Sequence, residues 1–160
     1  PAELREEIVS DTLPKRTLVI PLSGSKMSEA AIPYGLGIAA QRGADTEFVL
    51  LHVLTEKSVS YSVQAIKELE GEKARMHAYL DRVAEGIRAA GHEARTEVLY
   101  GEPATAIINY VMDNPPQLIA MATKGKQGLS RAIFGSVAEG VVQMLKKTPM
   151  LLVPAPETDE

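Results

Sequence analysis

The chain has 160 residues, 45% of them hydrophobic, enough for one globular domain with a real core and too few for two. Its formal net charge of -4 argues against a general nucleic-acid binder, which needs an excess of clustered Lys and Arg, so any basic surface must be local. The absence of cysteine excludes disulfides, thiol catalysis and cysteine-ligated metals, and no apolar run approaches the roughly 18 residues of a membrane span.

In chain order, residues 1–16 are polar and read as an N-terminal arm or linker. Their layout is not that of a signal peptide, and the chain is read as cytoplasmic. Thr17 to Leu22 (TLVIPL) is β-branched and apolar and stops at Ser23-Gly24-Ser25, the pattern of a first strand feeding a loop. A helix is expected from Lys26 to Gln41, ended by Gly43, with Met27, Ala30, Ala31, Tyr34 and Ile38 facing a sheet. Pro33 conflicts with that helix, because a proline in its interior removes a bond and kinks the turn. Gly35-Leu36-Gly37-Ile38-Ala39-Ala40 has the letters of a dinucleotide fingerprint. That motif works only in a strand-to-helix turn, so here its small residues are read as close helix packing.

Glu47 to Leu54 (EFVLLHVL) is a second strand, apolar enough to be covered on both faces. His52 interrupts it and is read as a hydrogen-bonded structural residue; His77 and His92 stand at no metal-ligand spacing from it, and no metal is assigned. A long helix follows, with Met76, Leu80, Val83 and Ile87 as its core stripe and Gly91 as its stop. Ala94 to Tyr100 is a more polar strand suited to a sheet edge. Gly101-Glu102-Pro103 opens a helix that runs to Asp113 with Ala104, Ile107, Ile108 and Val111 inward, and Asn114-Pro115-Pro116 ends it. Gln117 to Met121 is a fourth, buried strand. The last helix is expected from Ser136 to Lys147, Lys146 and Lys147 suiting its negative end, and Met150 to Val153 is a fifth strand before a disordered tail, 155–160.

Strands alternating with helices predict an α/β fold: a Rossmann-like, open, five-stranded parallel sheet with helices on both faces. Ligands bind such sheets beyond the carboxyl ends of the strands, where strand order reverses. The stretch from Ala122 to Ser136 (ATKGKQGLSRAIFGS) leaves such an end. It holds Gly125, Gly128 and Gly135, the cations Lys124, Lys126 and Arg131, and no acid. Ser136 and Glu139 have the spacing of a capping box, and free N–H groups at a helix start favour an anion. A phosphate cradle is one reading; ordinary turns and a plain helix cap are the other, and the residues by themselves do not separate them.

The stretch resembles the signature of the universal stress protein family: glycine, two residues, glycine, nine residues, then Gly-Ser or Gly-Thr. Gly125, the nine residues 126–134 and Gly135-Ser136 match it, while Ala122 stands where the first glycine belongs. The resemblance continues through VIPLSGS, LLHV, Val98 with Gly101-Glu102-Pro103-Ala104, and GSVAEGVV, and so covers one domain, 17–154. Members that bind ATP carry Pro-x-Asp-Gly-Ser after the first strand, with the aspartate on the base. Here Pro21-Leu22-Ser23-Gly24-Ser25 puts a serine in its place.

The resemblance implies strand order 3-2-1-4-5, with Leu22 and Met121 at the strand ends that open into the binding crevice. It places Pro21 and Ser23 near ribose and base, Val53 against the base, and Ala122 beside ribose and α-phosphate. Gly125, Lys126, Gly135, Ser136 and the backbone of Val137 would hold phosphates. The implied function is a stress-response or signalling module that binds ATP or another adenine nucleotide, with or without Mg2+, and does not turn it over. No GxxxxGK[ST] string, paired acids or Ser-His-Asp pattern argues for an enzyme. Ser23 and Ala122 favour as an alternative a dimeric interaction module that has lost nucleotide binding; a slow nucleotide hydrolase ranks below both. The short run Met150 to Val153 and the family arrangement imply a homodimer through the last strand.

Overall fold

The computed structural model describes residues 16–42, 45–55, 62–123 and 135–155. The apolar runs form strands β1 (Arg16–Pro21), β2 (Thr46–Leu54), β3 (Glu93–Tyr100), β4 (Leu118–Thr123) and β5 (Met150–Pro154). They make one parallel sheet in the order β3-β2-β1-β4-β5. β1 therefore lies between β2 and β4, with Val19 opposite Val49 on one side and Ile119 on the other. β3 lies at an edge, as its polar sequence predicts, and Arg95 there binds Glu47 of β2 at 2.8 Å.

Between the strands run α1 (Ala31–Arg42), α2 (Val63–Ala89), α3 (Pro103–Asp113) and α4 (Ser136–Met144). Alternate residues of the central strands point to opposite faces and build two cores. Leu18, Ile20, Phe48 and Leu50 pack with Leu80, Ala84 and Ile87 of α2 and the small residues of α1. Val19, Val49, Ile119 and Met121 pack with Ile107 and Val111 of α3 and Ala138 and Val141 of α4. Such two-sided burial is why β1 and β2 read as continuous apolar runs.

The helix expected from Lys26 is two elements: a 3-10 turn, Lys26–Ala30, and then α1. Pro33 thereby falls third in α1, where its missing N–H has no intrahelical partner to lose, and the conflict disappears. The change from three to 3.6 residues per turn also rotates the inward face. Ala31, Gly35 and Ala39 are buried, while Tyr34, expected inward, is 59% exposed. A Cβ on Gly35 would stand 3.3 Å from the Phe48 ring and 3.4 Å from Ile20 Cδ1. The small residues of the GLGIAA string thus serve close packing of α1 on the sheet.

α2 carries Leu80, Ala84 and Ile87 inward and ends at Ala89, two residues before Gly91, whose φ of 95° favours glycine. β4 continues two residues beyond the predicted end, to Thr123, and Ala155, placed by sequence in the tail, is buried with its N–H donating to the Thr123 carbonyl at 3.0 Å. α4 stops at Met144, short of Lys147. Leu145 is already extended, so Lys146 and Lys147 lie beyond the helix they were expected to end. Among the described residues no helix is long and apolar enough to cross a membrane.

Candidate functional site

Because β1 runs to β2 on one side and β4 on the other, the chain leaves the carboxyl ends of β1 and β4 in opposite directions and a crevice opens between them. A cleft of about 510 Å³ occupies this position, within the range of small-molecule sites. Its floor is apolar: Leu22 and Met121 are buried at the ends of β1 and β4, and Val53 is half-buried on β2. Pro21, Ser23 and Ala122 complete the strand-end side, and Gly135, Ser136 and Val137 bring in the start of α4. Nine of the residues singled out in the sequence are thus gathered around one cavity. Gly125 and Lys126, with Lys124, Gly128 and Arg131, lie outside the described residues.

Two consecutive residues of β2 fix the exit of β1. The Leu22 N–H donates to the Leu51 carbonyl at 2.7 Å, and the Leu22 carbonyl lies 2.7 Å from His52 Nδ1. A carbonyl only accepts, so Nδ1 carries the proton. His52 is 8% exposed and lines the cleft, the structural role expected for it.

Beyond Leu22 the chain turns through Gly24 at φ 94°, into a network of three serines. The Ser23 hydroxyl lies 2.9 Å from that of Ser25 and accepts the Ser25 N–H at 3.3 Å. Ser25 caps the 3-10 turn by accepting the Ser28 N–H at 3.2 Å, and the Ser28 hydroxyl donates back to the Ser25 carbonyl at 2.7 Å. The 3-10 turn is tied to α2 by Tyr79, whose hydroxyl donates to Glu29 at 3.0 Å. Burial, and then this bond to a carboxylate, push the Tyr79 phenol up to about 12. The tie therefore holds at any neutral pH.

The start of α4 differs from the expected capping box. Gly135 is the N-cap, extended at φ -63° and ψ 159°, and it has no side chain with which to cap; Ser136 is the first helical residue and is exposed. A hydroxyl at that position cannot fold back onto the N–H groups of the first turn as an N-cap side chain does. Those groups and the positive end of the helix dipole meet the cleft, a setting for an anion. The neighbouring helix α3 is capped from its own side. Glu102 accepts from Ala104 N, Thr105 N and the Thr105 hydroxyl, bonds that hold its carboxyl below the usual value, the hydroxyl first among them.

The sequence reading missed several lining residues, among them Ser25, Met27, Thr55 and Glu72. Ser25 was within reach as the N-cap of a following helix; Glu72 was not, since only the docking of α2 brings it to the cleft.

Residues 15–154 match the model of the universal stress protein family. The chain is 31% identical over 153 residues to universal stress protein MJ0531 of Methanocaldococcus jannaschii, covering 90% of this chain and 85% of that one. It is 30% identical over 146 residues to universal stress protein YxiE of Bacillus subtilis, covering 85% and 97%. Among solved structures it is similar to a universal stress protein in complex with cAMP, with a TM-score of 0.65, 20% identity and coverage of 89% and 98%. It is also similar to an Arabidopsis thaliana universal stress protein family protein with AMP bound, with a TM-score of 0.66, 18% identity and coverage of 88% and 92%.

Proposed function

The chain belongs to the universal stress protein family, and from that premise we propose that it is a cytoplasmic stress-response or signalling module that binds an adenine nucleotide, ATP or AMP, without turning it over. The observation that carries this reading is the cleft itself, an apolar floor at the strand-order reversal facing a helix start whose N-cap, Gly135, supplies no side chain. The floor of Leu22, Val53 and Met121 suits a base, and the first turn of α4 suits phosphates, with or without Mg2+. The cAMP- and AMP-bound relatives support the choice of adenine. Ser23 and Ala122 weaken the base and ribose contacts, so phosphate supplies most of the affinity. Titration calorimetry with ATP, AMP and adenosine tests this: ATP binds at least tenfold tighter than adenosine, and incubated with Mg2+ it is recovered unhydrolysed. No binding at millimolar ATP would favour the reading in which the fold serves only as an interaction module.

The same proposal includes a homodimer through β5. Among the described residues this strand pairs with β4 alone, leaving its other edge open among them, and Met150, Leu151 and Leu152 are only half-buried. An open apolar edge is a template for a second copy. Sedimentation at tens of micromolar is expected to give twice the chain mass; a monomeric mass there would refute the dimer.

A further inference from the structure

The loop after β1 carries Ser23 where the resemblance to ATP-binding family members would put an aspartate, and the structure brings an acid from another element to the same cleft. Ser23 is engaged with Ser25, and Glu29, the nearest acid in the chain, is held by Tyr79. On α2, however, Glu72, Met76 and Tyr79 follow one another at spacings of four and three and share one helix face. Two of the three are anchored. Tyr79 binds Glu29 of the 3-10 turn, and Met76 packs over the loop, its Cε 3.1 Å from where a Cβ on Gly24 would stand. Glu72 is the next residue of that face, one turn nearer the carboxyl ends of the strands, because α2 runs antiparallel to the strand it leads into. It is half-buried, lines the cleft, and has no hydrogen bond or ion pair among the described residues.

Building on the nucleotide reading above, we propose that Glu72 is the acceptor for the nucleoside half of the ligand, taking from α2 the role that Ser23 cannot fill from β1. α2 and α4 pack on opposite faces of the sheet, so the carboxylate of Glu72 and the positive start of α4 lie on different sides of the cleft. A ligand that is anionic at one end and carries N–H or O–H donors at the other fits this polarity in one direction only. The donor is either the exocyclic amine of adenine or a ribose hydroxyl. Both present the same chemistry to a carboxylate, and a charged acceptor makes bonds about twice as strong as a neutral one.

The test compares wild type with Glu72→Gln, which keeps the side-chain shape and the helix preference, using adenosine, ATP, purine riboside triphosphate and 2′,3′-dideoxy-ATP in titration calorimetry. Glu72→Gln is expected to bind adenosine and ATP about tenfold more weakly, with an unchanged melting temperature. Wild type loses affinity on the one analogue that lacks the bonded donor, and the variant, whose amide oxygen accepts only about half as strongly, loses less on it, which tells amine from ribose. Should the variant melt lower, Glu72→Ala with the same analogue pair gives the coupling independent of stability, since that variant has no acceptor and loses nothing further on the analogue. Equal affinity of wild type and variant, or tighter ATP binding by the variant through relief of repulsion, overturns the assignment while leaving the nucleotide site standing. Absence of nucleotide binding by wild type overturns both.

Discussion

Replacing Ser136 by aspartate is expected to lower ATP affinity about a hundredfold and to leave the protein folded and slightly more stable. Ser136 is exposed, lines the cleft and is the first residue of α4, whose N-cap Gly135 offers no side chain. The N–H groups of the first turn have no intrahelical partners, and a phosphate there would take them. An aspartate at that position favours the helix by about 0.3–1 kcal/mol through the dipole, so loss of binding would not reflect loss of fold. Against a phosphate its charge acts the other way: at about 4 Å and an effective dielectric near 20, two unit charges repel by about 4 kcal/mol. Solvent at this open end reduces that to about 2.8 kcal/mol, which is a hundredfold. Adenosine, having no phosphate, should bind Ser136→Asp as it binds wild type, and the ATP deficit should shrink as salt is raised toward 1 M. If Ser136→Asp binds ATP like wild type at low salt, the phosphates do not lie at α4.

The parts of this molecule that depend on local pattern were legible in the sequence, and the parts that depend on docking were not. β2 and α3 follow from an apolar run broken only at His52 and from Gly101-Glu102-Pro103, signals contained within a few residues. The position of β1 between β2 and β4 came from resemblance to a family, since spacing alone does not say which parallel strands touch. The 3-10 turn at Lys26–Ala30 was hidden because Ser25 caps a 3-10 and an α-helix alike; missing it misplaced Tyr34.

The same division runs through the site. The motif put Ser136 at the start of α4, where the structure has it, but gave it a capping role that belongs to the position before it, an error of one position that matters because the glycine there has no side chain to offer the first turn. Glu72 reads in the sequence as one charge among many on a solvated helix. Only Met76 against Gly24 and Tyr79 on Glu29 reveal which face of α2 looks into the cleft.

Replacing His52 by leucine is expected to cost about 2 kcal/mol of stability and to lower ATP affinity about tenfold, although His52 holds no phosphate. The imidazole is buried, and its Nδ1–H serves the Leu22 carbonyl at 2.7 Å. Leucine fills the space but leaves that carbonyl, on a residue 3% exposed, without its partner, and an orphaned buried acceptor costs about 1–3 kcal/mol. For a domain of this size about 2 kcal/mol lowers the melting temperature by roughly 4–8 °C. Affinity falls because the bond lies at the exit of β1: beyond Leu22 the chain enters the Ser23-Gly24-Ser25 turn, whose two serines line the cleft. Freed from β2 at its carbonyl, Leu22 keeps its N–H bond to Leu51 and loses the second of its two bonds to β2, and the turn shifts with it. His52→Asn separates the bond from the bulk, since an amide N–H can occupy the place of Nδ1–H on a smaller side chain. It should recover most of the affinity while stability stays low from the space it leaves unfilled. A leucine variant as stable as wild type would show that the Leu22 carbonyl finds another donor, and the strand exit would then be fixed by packing rather than by His52.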